Sequence, residues 1–301
     1  MPSYTHLAYR RNAKAAARNQ QIKKPKNAEL LKKAREDFGF FCEYVADKPP
    51  AEHHQHWHRH FVTDQDSSCL IKIAGPNVDL LAPRGSAKST VLGLLTAWAI
   101  GIHTHEKLPL QILYLSYTVD IARSKSATIK RIIESKRYQE VFPSVRLLKN
   151  VTSNEYWSID HKFAGIDTTG EEQFTLCAAG LKGSVTSKRS HLVMIDDAIK
   201  SAADIANPDI RKQMQENWNA VIAPTMFEGA RAICLGTRFR HDDIHSTTFN
   251  EQNNWSQIVL SAILNDPETG DEKSYWPEMW SLDYLKEKKR QAPIAFSFQY
   301  M

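Results

Sequence analysis

The sequence has no long apolar run and no paired cysteines. No stretch of about 18 apolar residues occurs, so no membrane-spanning helix is expected, and no secretory signal is visible. The four cysteines form no C-x-x-C pair. They are Cys42, Cys69, Cys177 and Cys234. Scattered cysteines do not suggest a disulfide scaffold, and we expect buried, reduced thiols in a cytosolic protein.

Acidic residues are absent from positions 1–27, which carry seven Lys and Arg residues. The whole chain has 39 basic and 34 acidic side chains, so the rest of the chain is close to neutral. A basic arm of this kind either contacts nucleic-acid phosphates or is a solvated terminus. The sequence leaves both alternatives open.

The remainder of the chain has the composition of a globular protein, with 42% hydrophobic and 24% charged residues. Helical spacing of apolar residues predicts a helix over 28–46, ended by Pro49-Pro50, and a second helix over 52–62. We therefore predict a flexible basic arm at 1–27, a small N-terminal helical cap at 28–68 and a core domain at 69–301.

Apolar strands alternate with helices in the core segment. Buried strands are predicted near 78–81, 111–116, 191–196, 230–237 and 255–263, with helices at 118–136, 207–221 and 281–290. Two short strands, 156–159 and 174–179, predict a β-hairpin around Thr168-Thr169-Gly170. The pattern predicts an α/β fold with three layers and a mostly parallel central sheet.

Residues 80–90 have the build of a phosphate-binding loop: an apolar strand end, a loop of small residues, Lys-Ser and a helix. Backbone N–H groups of such a loop point at nucleotide phosphates. Lys88 would neutralise phosphate oxygens, and the Ser89 hydroxyl would bind Mg²⁺. The consensus glycines are replaced by Ala82 and Ala87, so an ordinary strand–turn–helix is the alternative. The predicted nucleotide-binding residues here are Pro83, Arg84, Gly85, Ser86, Ala87, Lys88, Ser89 and Thr90.

Polar residues also follow two other predicted strands. Asp196 and Asp197 end one strand, and Thr237 ends another; in an open α/β sheet these ends converge. Asp196 could hold Mg²⁺ opposite Ser89, and Asp197 could orient or deprotonate the attacking water. An acidic turn that caps the following helix is the alternative for this pair.

Further candidate residues have weaker signals. Arg84 could reach the phosphates of a nucleotide on its own chain. Lys182 or Arg189, in the basic glycine-containing stretch 180–189, could act on a neighbouring subunit's ATP, contact DNA or be solvated. Gln55 could read adenine, as in helicase-type ATPases. The histidines at 53–60 include pairs at metal-ligand spacing, but a polar helix face near the nucleotide entrance is the preferred interpretation.

These motifs, in this order, resemble the ATPase domain of a tailed-phage terminase large subunit, the motor that packages DNA. The likeness spans roughly 50–300. It lies in the variant phosphate loop at 82–90, the segments 115–124 and 141–143, the stretch 180–200 with its acidic pair, and the coupling motif at 236–244.

The resemblance implies a three-layer P-loop ATPase that hydrolyses Mg²⁺-ATP to translocate double-stranded DNA into a procapsid. It implies that Arg84 and Lys88 bind phosphates, Ser89 and Asp196 hold Mg²⁺, Asp197 activates water and Thr237 senses the γ-phosphate. Partners would be DNA, the portal and the small terminase subunit, in a homo-oligomeric ring in the host cytoplasm at the portal, with no membrane.

The last residues, 295–301, resemble the link to the family's nuclease domain, and no later carboxylates suit a two-metal nuclease. We therefore expect no nuclease activity from this chain. The alternatives are a helicase-like translocase and a nucleotide-dependent adaptor without turnover. A small-molecule P-loop kinase is a third alternative, for which no phosphoacceptor pocket is visible.

Overall fold

The computed structural model describes residues 28–61, 76–168, 174–183, 185, 188–252 and 254–300. The predicted basic arm, Cys69 and the end of the predicted cap therefore lie outside the described residues. No helix in the described part is long and apolar enough to cross a membrane.

Within the described residues, eight strands form one central sheet, and a two-stranded sheet follows it. The strands are β1 Asn77–Leu81, β2 Ile112–Ser116, β3 Leu147–Thr152, β4 Tyr156–Ile159, β5 Leu176–Gly180, β6 Ser190–Asp196, β7 Met226–Gly236, β8 Trp255–Val259, β9 Ile263–Asn265 and β10 Glu272–Ser274. The order in the large sheet is β3-β4-β5-β2-β6-β7-β1-β8. The core pairs from β5 to β8 are all parallel, whereas β3–β4 and β4–β5 are antiparallel. The predicted mostly parallel α/β sheet is confirmed.

Helices connect and cover these strands. They are α1 Ala28–Glu36, α2 Phe38–Ala46, α3 Glu52–Phe61, α4 Lys88–His105, α5 Val119–Glu134, α6 Lys136–Val141, α7 His161–Ala164, α8 Pro208–Asn217, α9 Leu282–Gln291 and α10 Pro293–Gln299. Two π-helical turns, Trp218–Ile222 and His245–Phe249, follow α8 and β7.

The predicted helix over 28–46 is two helices, so that prediction is wrong at one position. Asp37 has an extended backbone, and its carboxylate accepts the N–H of Phe40 as the N-cap of α2. An aspartate that caps a second helix ends the first one. The apolar spacing continues across this break, which is why the pattern suggested one element.

The two faces of the sheet bury separate hydrophobic clusters, because successive strand residues point to opposite faces. Tyr114 lies in the cluster that α4 covers, together with Trp98 and residues of α1–α3. Leu113 and Leu115 lie in the opposite cluster, together with Trp218. Helices thus cover both faces of the sheet and give the three predicted layers.

The predicted hairpin is present as the antiparallel pair β4 and β5, with Trp157 opposite Leu176. Its connection is long and carries α7; Thr169 and Gly170 lie outside the described residues. The predicted strand over 255–263 divides into β8 and β9. The Leu260 N–H still bonds the carbonyl of Leu81, after which the chain leaves the sheet to pair with β10.

Candidate active site

A cleft of about 350 Å³ lies at the carboxyl ends of β1, β2, β6 and β7. The strand order places β6, β7 and β1 side by side, so the residues that follow them meet at one edge of the sheet. The predicted site residues that line the cleft are Arg84, Gly85, Ser86, Ala87, Lys88, Ser89, Thr90, Asp196, Asp197 and Thr237.

Lys88 begins α4 and points back into the loop. Its ammonium donates to the carbonyls of Ala82 and Pro83, at 2.9 Å each. Burial lowers the pKa of Lys88, and the charges of Asp197 and Asp196 oppose this shift. The buried Lys88 ammonium is therefore bound by two neutral carbonyls of the loop. An anion would form stronger hydrogen bonds with it.

Two residues of the loop have left-handed backbone. Gly85 has φ +82°, and a Cβ on it would lie 2.6 Å from the Trp280 ring, so only glycine fits. Ala87, which directly precedes Lys88, has φ +61°. A left-handed alanine costs about 1–3 kcal/mol of backbone strain. The loop thus adopts a glycine-type conformation at a position where the sequence has alanine.

His54 supports the loop from α3. Its Nδ1 accepts the Ala51 N–H at 3.2 Å, so Nε2 carries the proton and donates to the Ser86 carbonyl at 2.9 Å. Burial lowers the pKa of His54, which favours this neutral form. The Ser86 hydroxyl is buried and has no partner within the described part of the chain.

Asp196 connects β6 to the loop helix. The Ser89 hydroxyl donates to its Oδ1 at 2.7 Å, and the Tyr114 hydroxyl donates to Oδ2 at 3.3 Å. The Ser116 hydroxyl donates to its backbone carbonyl at 2.7 Å. Burial and the adjacent Asp197 charge raise the pKa of Asp196, whereas Lys125, Ser89 and Tyr114 oppose that rise.

Asp197 occupies an unfavourable backbone conformation. Its φ is +51°, and its N–H donates to the Leu235 carbonyl of β7 at 3.0 Å. Its Oδ1 is buried and has no hydrogen-bond partner among the described residues. A strained carboxylate with an open acceptor, facing a cleft, is a candidate for contact with substrate or water.

The oxygen donors at this edge fit a magnesium ion. Mg²⁺ prefers oxygen ligands in octahedral geometry at about 2.1 Å, which places adjacent ligands about 3 Å apart. Ser89 Oγ and Asp196 Oδ1 are 2.7 Å apart. A hydroxyl, a carboxylate and the nearby carboxylate of Asp197 are a suitable donor set.

Two side chains connect the loop to its neighbours. Thr237, at the end of β7, contacts the loop, and Arg84 of the loop contacts the segment after β6. The Thr237 hydroxyl donates to the Ala82 carbonyl at 3.3 Å, the same carbonyl that Lys88 binds. The Arg84 guanidinium donates to the Lys200 carbonyl at 3.0 Å and lies 5.3 Å from the ring centre of Phe239. These contacts link the side chains of the loop directly to the end of β7.

Three predicted residues lie at the margin of the cleft or away from it. Gln55 is exposed, and its amide donates to the Pro50 carbonyl at 3.3 Å; His54 instead faces the loop. Lys182 donates to the Tyr117 hydroxyl, which borders the cleft. Arg189 donates to the Pro224 carbonyl at the opposite end of β6, about 20 Å away by the rise of a strand.

A second cavity of about 430 Å³ meets the cleft at Gly85, Ala87 and Thr90. Its other wall is mostly apolar and carries two histidine side chains. The residues of that wall include Pro49, Pro50, His54, His58, Trp276 and Met279. This cavity extends the cleft away from Asp196.

Burial lowers the pKa of His53 to about 3 and of His58 to about 4, so both are neutral at pH 7. Within the described ranges, the group whose geometry could hold a metal is Asp79, Cys234 and His245, not the histidines of α3. The histidine cluster, interpreted from the sequence as a polar helix face near the nucleotide entrance, is partly buried: His53 and His54 are each 6% exposed, and His54 and His58 line the second cavity.

Sequence reasoning missed three residues that contact the site. They are His54, Tyr114 and Lys125, and the Lys125 ammonium lies 3.6 Å from Asp196 Oδ2. Each is distant in the chain from the group it contacts. The only local signals were the histidine-rich helix and a tyrosine in an otherwise aliphatic strand.

No protein-family model matches the chain, and no curated protein matches it. Several solved structures are similar in fold. The large terminase ATPase domain of Thermus phage P74-26 aligns with a TM-score of 0.46 at 14% identity, over 86% of this chain and 95% of that one.

Two longer proteins are similar over part of their length. The HK97 bacteriophage large terminase aligns with a TM-score of 0.44 at 14% identity, over 80% of this chain and 45% of its own. The large terminase of a thermophilic bacteriophage, in complex with ADP, has a TM-score of 0.41 at 9% identity, over 72% and 44%. This chain thus spans less than half of those two proteins. These solved structures are one ATPase domain and two large terminases of phages.

Proposed function

We propose that this chain is the ATPase motor domain of a phage terminase large subunit, which hydrolyses Mg²⁺-ATP. The observation that carries the proposal is the meeting of Lys88 and Ser89 with Asp196 and Asp197 at one sheet edge. Ser89 is 2.7 Å from Asp196, and the next carboxylate is strained and open. This is the chemistry that phosphoryl transfer to water requires.

The roles follow from the contacts. Backbone N–H groups of the loop and Lys88 bind the phosphates, and Arg84 is released from the Lys200 carbonyl to join them. Ser89 and Asp196 hold Mg²⁺, which neutralises phosphate charge when bound. Asp197 accepts a proton from, or orients, the attacking water. Thr237 senses the γ-phosphate through Lys88, because the Thr237 hydroxyl and the Lys88 ammonium both donate to the Ala82 carbonyl.

The second cavity is the proposed place for the nucleotide base. It adjoins the loop and is apolar enough for an aromatic ring. Gln55 is exposed and bonded to Pro50 in this structure, so its reading of adenine requires a rotation of the side chain. Base contacts by His58 and Trp276 need no such change.

The motor would be completed by a neighbouring subunit in a ring. Arg189 is the better candidate for a trans-acting residue, because it is exposed and far from its own cleft. Lys182 is the second candidate, although it is bonded to Tyr117 beside its own cleft. Double-stranded DNA, the portal and the small terminase subunit are the proposed partners, and the procapsid portal is the proposed place of action. No nuclease activity is proposed for this chain.

The test of the motor proposal is DNA-dependent ATP turnover combined with a strand-separation assay. Stimulation of turnover by duplex DNA without strand separation supports a packaging motor. Strand separation points to a helicase-like translocase instead. ATP binding without turnover, alone or with DNA and portal, points to an adaptor.

A further inference from the structure

Lys125 on α5 is a cation within the cleft that the proposed roles do not use. Its ammonium lies 3.6 Å from Asp196 Oδ2, and its side chain is 34% exposed, whereas Asp196 is 1% exposed. Lys125 also lines the cleft together with Lys88, Ser89 and Asp197. It therefore faces both the buried carboxylate and the open space beside the loop.

The contact between Lys125 and Asp196 is an ion pair without a tight hydrogen bond. A separation of 3.6 Å exceeds the 2.7–3.2 Å of an ordinary N–H to O bond. The Asp196 carboxylate accepts from two hydroxyls, Ser89 at 2.7 Å and, at a longer 3.3 Å, Tyr114, and neither carries a charge to balance a buried carboxylate. Lys125 supplies the nearest positive charge, on a flexible stem that can move.

A divalent cation bound by Ser89 and Asp196 would compete with this ammonium, since like charges about 4 Å apart repel strongly in a partly buried site. The other charged groups that line the cleft are Arg84, Lys88, Asp197 and Lys200. Of these, Lys88 is bound to loop carbonyls and Arg84 to the Lys200 carbonyl. Lys125 is thus the cation of the cleft in ion-pair contact with the carboxylate that would bind magnesium.

We propose that Lys125 is an exchangeable counterion of the metal-binding carboxylate: Mg²⁺ displaces it from Asp196, and its ammonium then contacts the phosphates of the nucleotide. The inference rests on the proposed function, because it takes Ser89 and Asp196 as the magnesium ligands. It makes Lys125 a residue that couples metal binding to nucleotide binding within one chain.

The test compares wild type with Lys125→Gln, Lys125→Arg and Lys136→Gln, the last an exposed lysine at the start of α6. The first readout is thermal unfolding during a Mg²⁺ titration without nucleotide. Lys125→Gln is expected to require about tenfold less Mg²⁺ for its half-maximal shift than wild type, because the competing charge is gone. Lys125→Arg, which keeps the charge, and Lys136→Gln are expected to titrate as wild type does.

The second readout is binding of ATPγS at saturating Mg²⁺. Lys125→Gln is expected to bind about tenfold more weakly, since one phosphate contact is lost. Equal Mg²⁺ midpoints in Lys125→Gln and wild type would overturn the inference, as would unchanged ATPγS affinity. Failure of wild type to bind ATPγS at any Mg²⁺ concentration would instead overturn the proposed function, and the nucleotide-free titration would still decide the exchange at Asp196.

Discussion

Two residues of the site, Ala87 and Asp197, have left-handed backbone that glycine or asparagine would adopt more easily. Both flank the groups that bind phosphate and metal in the proposed mechanism. Such strain persists only where surrounding contacts impose it. Here the loop and the bond from Asp197 to Leu235 impose it.

Ala87→Gly is expected to stabilise the protein by about 1 kcal/mol, because glycine takes a positive φ without the Cβ penalty. The measurement is the free energy of unfolding in urea. The matched control is Ala127→Gly within α5, where the helical backbone makes glycine unfavourable by about 0.5–1 kcal/mol. Destabilisation of similar size in both variants would contradict the strain at Ala87.

At the residue scale, local motifs predicted the groups that adjoin one another in sequence. Lys88, Ser89, Asp196 and Asp197 stand at strand ends, and the sheet brings these ends together whatever the details of packing. The contacts of His54, Tyr114 and Lys125 depend instead on how α3, β2 and α5 pack. Residue order alone carries no signal for such contacts.

Among the elements, β1, β8 and the π-helical turn His245–Phe249 are joined by a polar cluster around Asp79. Asp79 of β1 lies 2.9 Å from His245 Nδ1 and accepts the Gln257 amide at 2.9 Å. The Gln257 amide also donates to the His245 carbonyl. Burial lowers the pKa of His245, but the carboxylates of Asp79 and Asp243 together outweigh burial, so the pKa is raised.

Asp79→Ala is expected to destabilise the protein by about 3–5 kcal/mol, since it leaves the fully buried His245 without its carboxylate partner. Urea unfolding measures the loss. The control is Glu272→Ala, which removes the exposed ion pair to Lys286 and should change stability little. A loss at Asp79 no larger than the control's would show that this cluster does not stabilise the fold.

Helix α3 contains a buried histidine, His53, that makes the free energy of unfolding depend on pH. The pKa of His53 is about 3 when folded, against 6.5 for an ordinary histidine, because burial disfavours the charged form. The unfolded chain therefore binds more protons between these values, and stability falls as the pH drops from about 6.5 towards 3.

His53→Phe keeps an aromatic ring against Trp57 and Tyr275 and removes the titrating group. The fall in melting temperature between pH 7 and pH 5 is expected to be smaller in this variant than in wild type. His56→Gln, exposed on the same helix, serves as the control. An equal fall in His53→Phe and wild type would assign the acid sensitivity to other groups.

At the element scale, the sequence predicted the buried strands and long helices because their apolar periodicity is strong. It joined α1 and α2, since the cap at Asp37 interrupts the chain without interrupting the apolar face. It did not predict β3, whose pairing with β4 follows from tertiary contacts and not from a local apolar run.

In the whole molecule, the charged residues of the candidate site lie at one edge of the sheet. The chain after residue 27 is nearly neutral overall. The excess positive charge lies in residues 1–27. If this arm contacts DNA, it supplies the sequence-independent part of binding, and that part depends strongly on salt.

Removal of residues 1–27 is therefore expected to weaken duplex DNA binding and to make the salt dependence shallower. Seven basic residues that each neutralise one phosphate would change the slope of log K against log salt by up to about six. Fluorescence anisotropy over a salt series measures the slope. The same slope in both proteins would mean that the arm is only solvated.

The proposed function requires Lys88 and Asp197 to act in one ATPase site, and Mg²⁺-ATP turnover over a range of protein concentrations measures whether they do. Asp197→Asn keeps a residue that tolerates positive φ, and Lys88→Ala removes the phosphate-binding cation. We expect both variants to lose turnover by about 10²-fold or more. Wild-type turnover per subunit should rise with protein concentration, because neighbouring subunits complete the site. Undiminished turnover in both variants would show that this site does not hydrolyse ATP.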